Sequence, residues 1–462
     1  MRRRLSRATS VALTLARPST KPSASCPFPK GRDVVATPRY GLFVPPQTRP
    51  EPPQEAGTSI ELFAGAGGLA LAMHQARFRH LLAVEVDERA CETLRLNGAK
   101  DYSPDQPRPT TVEMSWPLVC GDVREFDFKP WKDEVDVVAG GVPCQPWSLG
   151  GVHRGYEDKR NLWPELLRCV RETRPKAIVA ENVKGLLRPS FRPYYDYILR
   201  QLELPHDRAT KGEDWSDHDA RLRARIASIR EKRPDTRALT RQYDVHYQLL
   251  NAADYGVPQT RHRVFVVAFR KDLGLSEWDF PAPTHSEIEL AASKADHTYW
   301  IRHGMDVREM PAQEELDLGG GGQRLAPWKT IRDALRDVHP PLRPLDKRLE
   351  HPKWIHHRGW PGAREYKGHR PNEWDHPAKT IKAGVHGVAG GENTIRLDDG
   401  EIRYLTVREV ARLMTFPDNW RLEEPRSEQM RQLGNAVPVE LGRVVAQSVA
   451  DALWTTGPTG RG

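Results

Sequence analysis

From Ser59 onward the chain repeats one pattern: a short apolar run, a turn, then a stretch with helical spacing. Ser59–Phe63, His80–Val86, Val135–Ala139, Ala177–Ala180 and Val264–Ala268 read as strands. The stretch through Leu69, Leu71 and Ala72 reads as a helix, as do Glu88–Asn97 and Asn161–Val170. Strands alternating with helices build a doubly wound α/β sheet. In such sheets ligands bind beyond the carboxyl ends of the strands. The turns that follow the strands are therefore where chemistry is expected.

Composition narrows the class. No run reaches the roughly 18–20 apolar residues of a membrane span, and 38% apolar residues suffice for a core. The five cysteines are odd in number and never spaced CxxC, which argues against a disulfide scaffold or a zinc ribbon and for a reducing compartment. A net charge of +8 over 462 residues invites a nucleic-acid partner, but its location matters. Residues 1–57 hold ten Lys/Arg against three acids, so the rest of the chain is almost neutral. This Pro-rich, aperiodic arm is expected to be disordered. Its Arg- and Ser-rich, acid-poor start also fits an organelle transit peptide. A second local excess lies between Arg343 and Lys382, with ten Lys/Arg, five acids and five His among Trp354, Trp360, Tyr366 and Trp374. The histidines there match no zinc spacing. Residues 205–240 are densely charged, with Leu222, Ile226 and Ile229 at helical spacing. They read as a surface helix with one packed stripe, or as a DNA-contacting face.

Two turns carry the chemistry. Glu61-Leu-Phe-Ala-Gly-Ala-Gly-Gly68 follows a strand and opens a helix, where glycines admit a ligand and free N–H groups face it. The spacing of Gly65, Gly67 and Gly68 is not the dinucleotide GxGxxG. Glu85, about 20 residues on, suits a ribose hydroxyl pair. Phe63 could stack on a purine, and Asp122 could take an adenine amino group. A tight turn packed on its glycines explains the same residues. The second turn, Gly140-Gly-Val-Pro-Cys-Gln-Pro-Trp-Ser148, exposes Cys144 behind Pro143 as a candidate nucleophile. An exocyclic-amine methylase would carry Asp/Asn-Pro-Pro-aromatic here, so Val-Pro-Cys points to a carbon target.

Together these turns resemble the cytosine-5 DNA methyltransferase family, and the family's order continues along the chain. Glu181-Asn-Val183 ends a strand as the family's catalytic Glu does, and Gln259-Thr-Arg-His-Arg263 is similar to its QxRxR element. Leu405-Thr-Val-Arg-Glu409 with Phe416-Pro417, and Gly434-Asn-Ala-Val-Pro438, resemble its last two motifs. Val142 stands where the family usually has a first Pro, and Leu413-Met414 where it has Leu-Gln.

The resemblance implies a Rossmann-like, S-adenosylmethionine-dependent methyltransferase sheet with a smaller, irregular target-recognition domain. Residues 58–284 would form the catalytic domain, with a charged insertion at 205–240. Residues 285–400 would form the target region, with its reading surface near 340–375, and 401–456 would return to the catalytic domain. Cys144 would attack C6 of a flipped-out cytosine. Glu181 would hold N3 and the 4-amino group, and Arg263 with Arg261 would hold O2 and the nearby phosphate. Phe63, Gly65, Gly67, Gly68, Leu69, Glu85, Val86, Asp122, Val123, Pro143, Asn435 and Val437 would line the cofactor pocket. Gln145, Ser148 and Gln259 would contact DNA, and Gln145–Lys159 would be a mobile loop. No metal is implied. The partner would be double-stranded DNA, met by a monomer in the cytoplasm, with a restriction endonuclease as a separate protein. A tRNA methyltransferase of related fold would show Cys-Phe-Thr, which is absent. A non-catalytic DNA-binding relative would usually have lost Cys144 or Glu181.

Overall fold

The computed structural model describes residues 55–143, 161–231, 236–307, 324–338, 351, 353–365, 370–383 and 393–455. The basic arm expected over 1–57 lies outside the described residues up to position 54, as do Cys144, Gln145 and Ser148. Eight strands form one sheet: β1 Gly57–Leu62, β2 Phe78–Glu85, β3 Lys100–Asp101, β4 Pro117–Cys120, β5 Val137–Gly141, β6 Ala177–Val183, β7 Tyr243–Asn251 and β8 His262–Arg270. Their order is β3-β4-β2-β1-β5-β6-β8-β7. Neighbours are parallel from β3 to β6, and β8 runs antiparallel to both β6 and β7.

Both faces of the sheet are covered, and alternation along each strand shows it. On β8, Val264, Val266 and Ala268 face one core, while Phe265, Val267 and Phe269 face the other. The first core is closed by α3 (Trp163–Thr173) and α4 (Arg192–Glu203), after α1 (Gly68–Gln75) and α2 (Glu88–Leu96) in chain order. α2 starts where Asp87 accepts the Ala90 N–H at 2.9 Å.

α5 (Trp215–Glu231) and the short α6 (Thr236–Leu239) fill the charged stretch before β7. Leu222 and Ile226 of α5 pack on Tyr197 and Leu204, which is the packed stripe read from the sequence. After β8 come short elements only. β9 (His285–Ser286) pairs with β10 (Ala326–Pro327), and β11 (Asn372–Glu373) joins β12 (Thr394–Arg396) and β13 (Ile402–Tyr404). Between them lie α7 (Glu287–Ala295), α8 (Thr298–Arg302) and α9 (Ile331–Leu335), the last opened by a capping box of Thr330 and Asp333.

Helix periodicity then returns as α10 (Val407–Leu413), α11 (Arg426–Asn435) and α12 (Val439–Thr455). α12 lies on α1, where Gly442 brings the helices together: a Cβ there would stand 2.8 Å from the Ala72 Cβ. The end of the chain thus seals the second face of the first sheet strands. Among the described residues no helix is long and apolar enough to cross a membrane.

Candidate active site

The carboxyl ends of β5 and β6 and the start of β8 meet at one edge of the sheet. Gly141 is the register neighbour of Glu181, and Arg263 is opposite Val183. Gly140 is required at this approach, since a Cβ there would lie 2.7 Å from the Leu62 carbonyl. Beyond Gly141, the Val142 carbonyl accepts a hydrogen bond from Asn182 Nδ2 at 2.9 Å, in a buried setting. The residue next to Glu181 therefore pins the segment that runs through Pro143 towards Cys144.

Glu181 is buried, and Arg263 Nε lies 2.8 Å from its Oε1. This ion pair takes only part of the carboxylate's roughly four lone-pair positions, so others remain for a further donor. Burial pushes the Glu181 carboxyl above the usual range, and the guanidinium groups of Arg263 and Arg261 only partly offset this.

Arg261 sits deeper, with no exposed surface. It donates to the carbonyls of Ile381 at 2.7 Å, Gly434 at 2.7 Å and Ala436 at 2.9 Å. Burial, then the like charge of Arg263, makes its cationic form costly, while Glu181 favours it. Gln259 is equally buried. Its amide donates to the Leu413 carbonyl at 3.2 Å and accepts from the Ile381 N–H at 3.1 Å. Gln259, expected to contact DNA, thus has its amide engaged inside the protein. For Arg261, too, the geometry is that of a buried staple rather than of a group facing a base.

The Gly-rich turn lies on the other side of β1. Phe63 and Gly65 have positive φ of 58° and 54°. The Gly65 N–H donates to Glu85 Oε2 at 2.7 Å, and Glu85 Oε1 accepts from the Val86 and Asp87 N–H groups, both at 2.9 Å. Only part of a carboxylate's roughly four lone-pair positions remains for a ligand. A Cβ on Gly65 would meet open space. The other two glycines serve packing: a Cβ on Gly67 would stand 2.9 Å from Trp420, and one on Gly68 would stand 2.4 Å from the Val437 carbonyl. Leu69 is buried and faces Gly442 of α12. Asp122 is spent partly on its own turn, accepting the Arg124 N–H at 2.9 Å, with Val123 buried behind it. Val86 is 64% exposed, an apolar side chain left bare beside these polar groups. Asn435 is exposed at the end of α11 and Val437 is buried against Gly68, so the last motif does return to this turn.

Three contributors escaped sequence reasoning. Asn182 pins Val142, and Trp420 closes the turn by donating from Nε1 to the Ala66 carbonyl at 3.1 Å. Glu61 is fully enclosed in β1, and neither carboxylate oxygen has a hydrogen-bond partner. Burial raises its pKa well above the usual value. An acid inside the apolar run Ile60–Leu62 was the available signal, since buried carboxyls without partners mark functional places. These features fit a donor such as S-adenosylmethionine. The uncapped start of α1 suits a carboxylate, Glu61 an ammonium, Glu85 ribose hydroxyls and Val86 a purine face.

The sheet and its edge define a Rossmann-like methyltransferase. The family model of C-5 cytosine-specific DNA methylases matches residues 57–204 and 239–451. The type II methyltransferase M.Eco47II of Escherichia coli is 33% identical over 409 residues, covering 86% of this chain and 79% of its own. M.NgoMIV of Neisseria gonorrhoeae is 29% identical over 400 residues, covering 86% and 98%. The crystal structure of the S. pombe Dnmt2 methyltransferase aligns with 87% of this chain and 99% of its own, at 16% identity and a TM-score of 0.49. The chain belongs to the C-5 cytosine-specific DNA methylase family and is a DNA cytosine-5 methyltransferase.

Two predictions follow from the buried charges. Arg261→Met strands three carbonyls and is expected to cost roughly 3–5 kcal/mol of stability, read from denaturant unfolding. Arg263→Ala is expected to cost less stability and to act on turnover; the reverse order would contradict the assigned places. The second concerns pH. The folded state holds the Glu181 proton more tightly than the unfolded chain, where a Glu titrates near about 4.3. Its contribution is complete below that value and is lost as pH rises through the raised folded pKa. Glu181→Gln escapes this loss, so its stability relative to wild type should rise as pH increases from about 4.3 through the raised folded value. A difference in melting temperature that does not change with pH would contradict the raised carboxyl.

Proposed function

We propose that the enzyme methylates C5 of cytosine within a specific double-stranded DNA sequence, with S-adenosylmethionine as donor and Cys144 as nucleophile. The observation that carries this reading is the buried Glu181–Arg263 pair beside Gly141, three residues before Cys144. A stacked base cannot reach so enclosed an edge, so the cytosine leaves the helix. The Cys144 thiolate then adds at C6, which makes the ring enamine-like and C5 nucleophilic. Glu181, its proton held by burial, donates to N3, and its free lone pairs accept from the 4-amino group. Arg263 stabilises the carboxylate left when this proton moves to N3, and is assigned to O2. Bound S-adenosylmethionine supplies an electrophilic methyl group for C5. Loss of the C5 proton to water then breaks the C6–S bond, returns the Cys144 thiolate and gives the N3 proton back to Glu181. Arg261 acts as a positioning residue, fixing Arg263 against the loop at Ile381 and the last motif.

Glu61, Gly65, Glu85, Val86 and Asp122 are assigned to the donor, and Gln145 and Ser148, in the segment 145–159, to DNA. Residues 285–400 are assigned to target recognition. The relatives named as type II methyltransferases support a restriction-modification role, with any endonuclease a separate protein and this chain acting as a monomer.

Cys144→Ala is expected to reduce methyl transfer to background while binding of DNA and of S-adenosylmethionine persists. Labelled-methyl incorporation with parallel binding titrations checks this, and substantial turnover by the variant would sink the mechanism.

A further inference from the structure

Residues 205–238 fall between the two stretches that the family model matches, and α5 within them packs on α4 through Tyr197, Leu222 and Ile226. The arginines of α5 are largely spent within this segment. Arg221 and Arg225 pair with Asp207, Arg221 also pairs with Glu213, and Arg223 pairs with Asp219. Their charges are therefore largely offset along the helix. The uncompensated cations gather elsewhere.

A cleft of about 760 Å³ opens beside this segment, bordered by Arg174, His206, Arg225 and Arg241, with one acid, Asp207, and with Ile229 as part of an apolar wall. Arg171 and Arg208 stand close enough, with Arg174 and Arg241, to act on the His206 ring. The nearby acids are already engaged. Asp133 pairs with Arg174, Asp207 with Arg221 and Arg225, and Glu165 and Glu172 with Arg168. Arg171 donates to the Pro205 carbonyl at 3.3 Å. Among the described residues, Arg171, Arg208 and Arg241 have no carboxylate partner.

Like charges gathered in one concave place repel one another unless an anion neutralises them. Burial and then Arg241 with the other arginines push His206 down to about 4, and burial and then Arg208 push Arg171 down to about 10. The histidine is therefore neutral at physiological pH and does not add to the repulsion.

The cleft lies where β6 and β7 begin, since Arg174 precedes β6 and Gln242 precedes β7. That is the amino edge of the sheet, opposite Glu181 and Arg263. A duplex engaged at the catalytic edge does not lie across it. Its volume is that of a small-molecule site, and guanidinium forks match phosphate oxygens in pairs.

We propose that this cleft binds a small molecule carrying a di- or triphosphate, held by Arg171, Arg174, Arg208 and Arg241. The site is separate from the methyl-transfer chemistry and does not depend on it. Calorimetric titration of the full chain with inorganic tripolyphosphate and with ATP, at low salt, tests this. Both anions are expected to bind wild type. Arg208→Glu combined with Arg241→Glu, at two exposed positions, should weaken binding by at least about tenfold. Methyl transfer to genomic DNA should be unchanged in that variant. Absence of binding to wild type, or equal binding to the variant, overturns the proposal. If short duplex DNA displaces tripolyphosphate from wild type, and the double variant loses duplex affinity, the cleft belongs to nucleic acid and the proposal fails.

Discussion

A single buried guanidinium holds the catalytic edge together. Arg261 has no carboxylate in hydrogen-bond contact, yet it is fully enclosed and ties the backbone at Ile381, Gly434 and Ala436 to the start of β8. Those segments come from the return of the target region and from the last motif. With the 258–260 strand segment pairing to Ala378, the chain closes on itself at this point. Val437 then reaches Gly68, and α12 reaches α1. The edge proposed for the base and the turn assigned to the donor are thus tied by one cluster of hydrogen bonds, so a shift at Arg261 is felt at both.

The same cluster sets the electrostatics. Glu181 is desolvated more strongly than its two arginines can offset, so its proton is held where a base nitrogen could receive it. A fully charged, fully compensated pair would be a structural ion pair and little else. The ion pair leaves lone-pair positions on the Glu181 carboxylate that a hydrogen-bonding substrate can fill.

Much of the fold was legible because central strands are apolar on both faces. β1, β2, β5, β6 and β8 all follow the runs read from the sequence. β7 was missed because Tyr243–Asn251 is an edge strand with half-exposed residues on it, and β3 and β4 are too short to carry a pattern. The motifs showed which residues matter but not which way they face. Gln259, Arg261 and Arg263 alternate along the chain, yet depth separates them: the first two are spent inside the protein and only the third reaches Glu181. The glycines divide in the same way. Gly65 borders open space, whereas Gly67 and Gly68 make room for Trp420 and Val437, contacts more than 350 residues away in sequence that no local pattern encodes. Glu61 was legible in principle, as a charge in an apolar strand, but its isolation emerges only when both its oxygens are found without partners.

The central claim, that the edge marked by Glu181 and Arg263 directs Cys144 to C6 of cytosine, is tested most directly by trapping. DNA in which the target cytosine carries fluorine at C5 cannot release the proton that frees the thiolate. Incubation with enzyme and S-adenosylmethionine, followed by digestion and mass spectrometry, should give a stable DNA adduct on the peptide containing Cys144. Turnover of ordinary DNA without any such adduct, or an adduct on a different residue, would contradict the account.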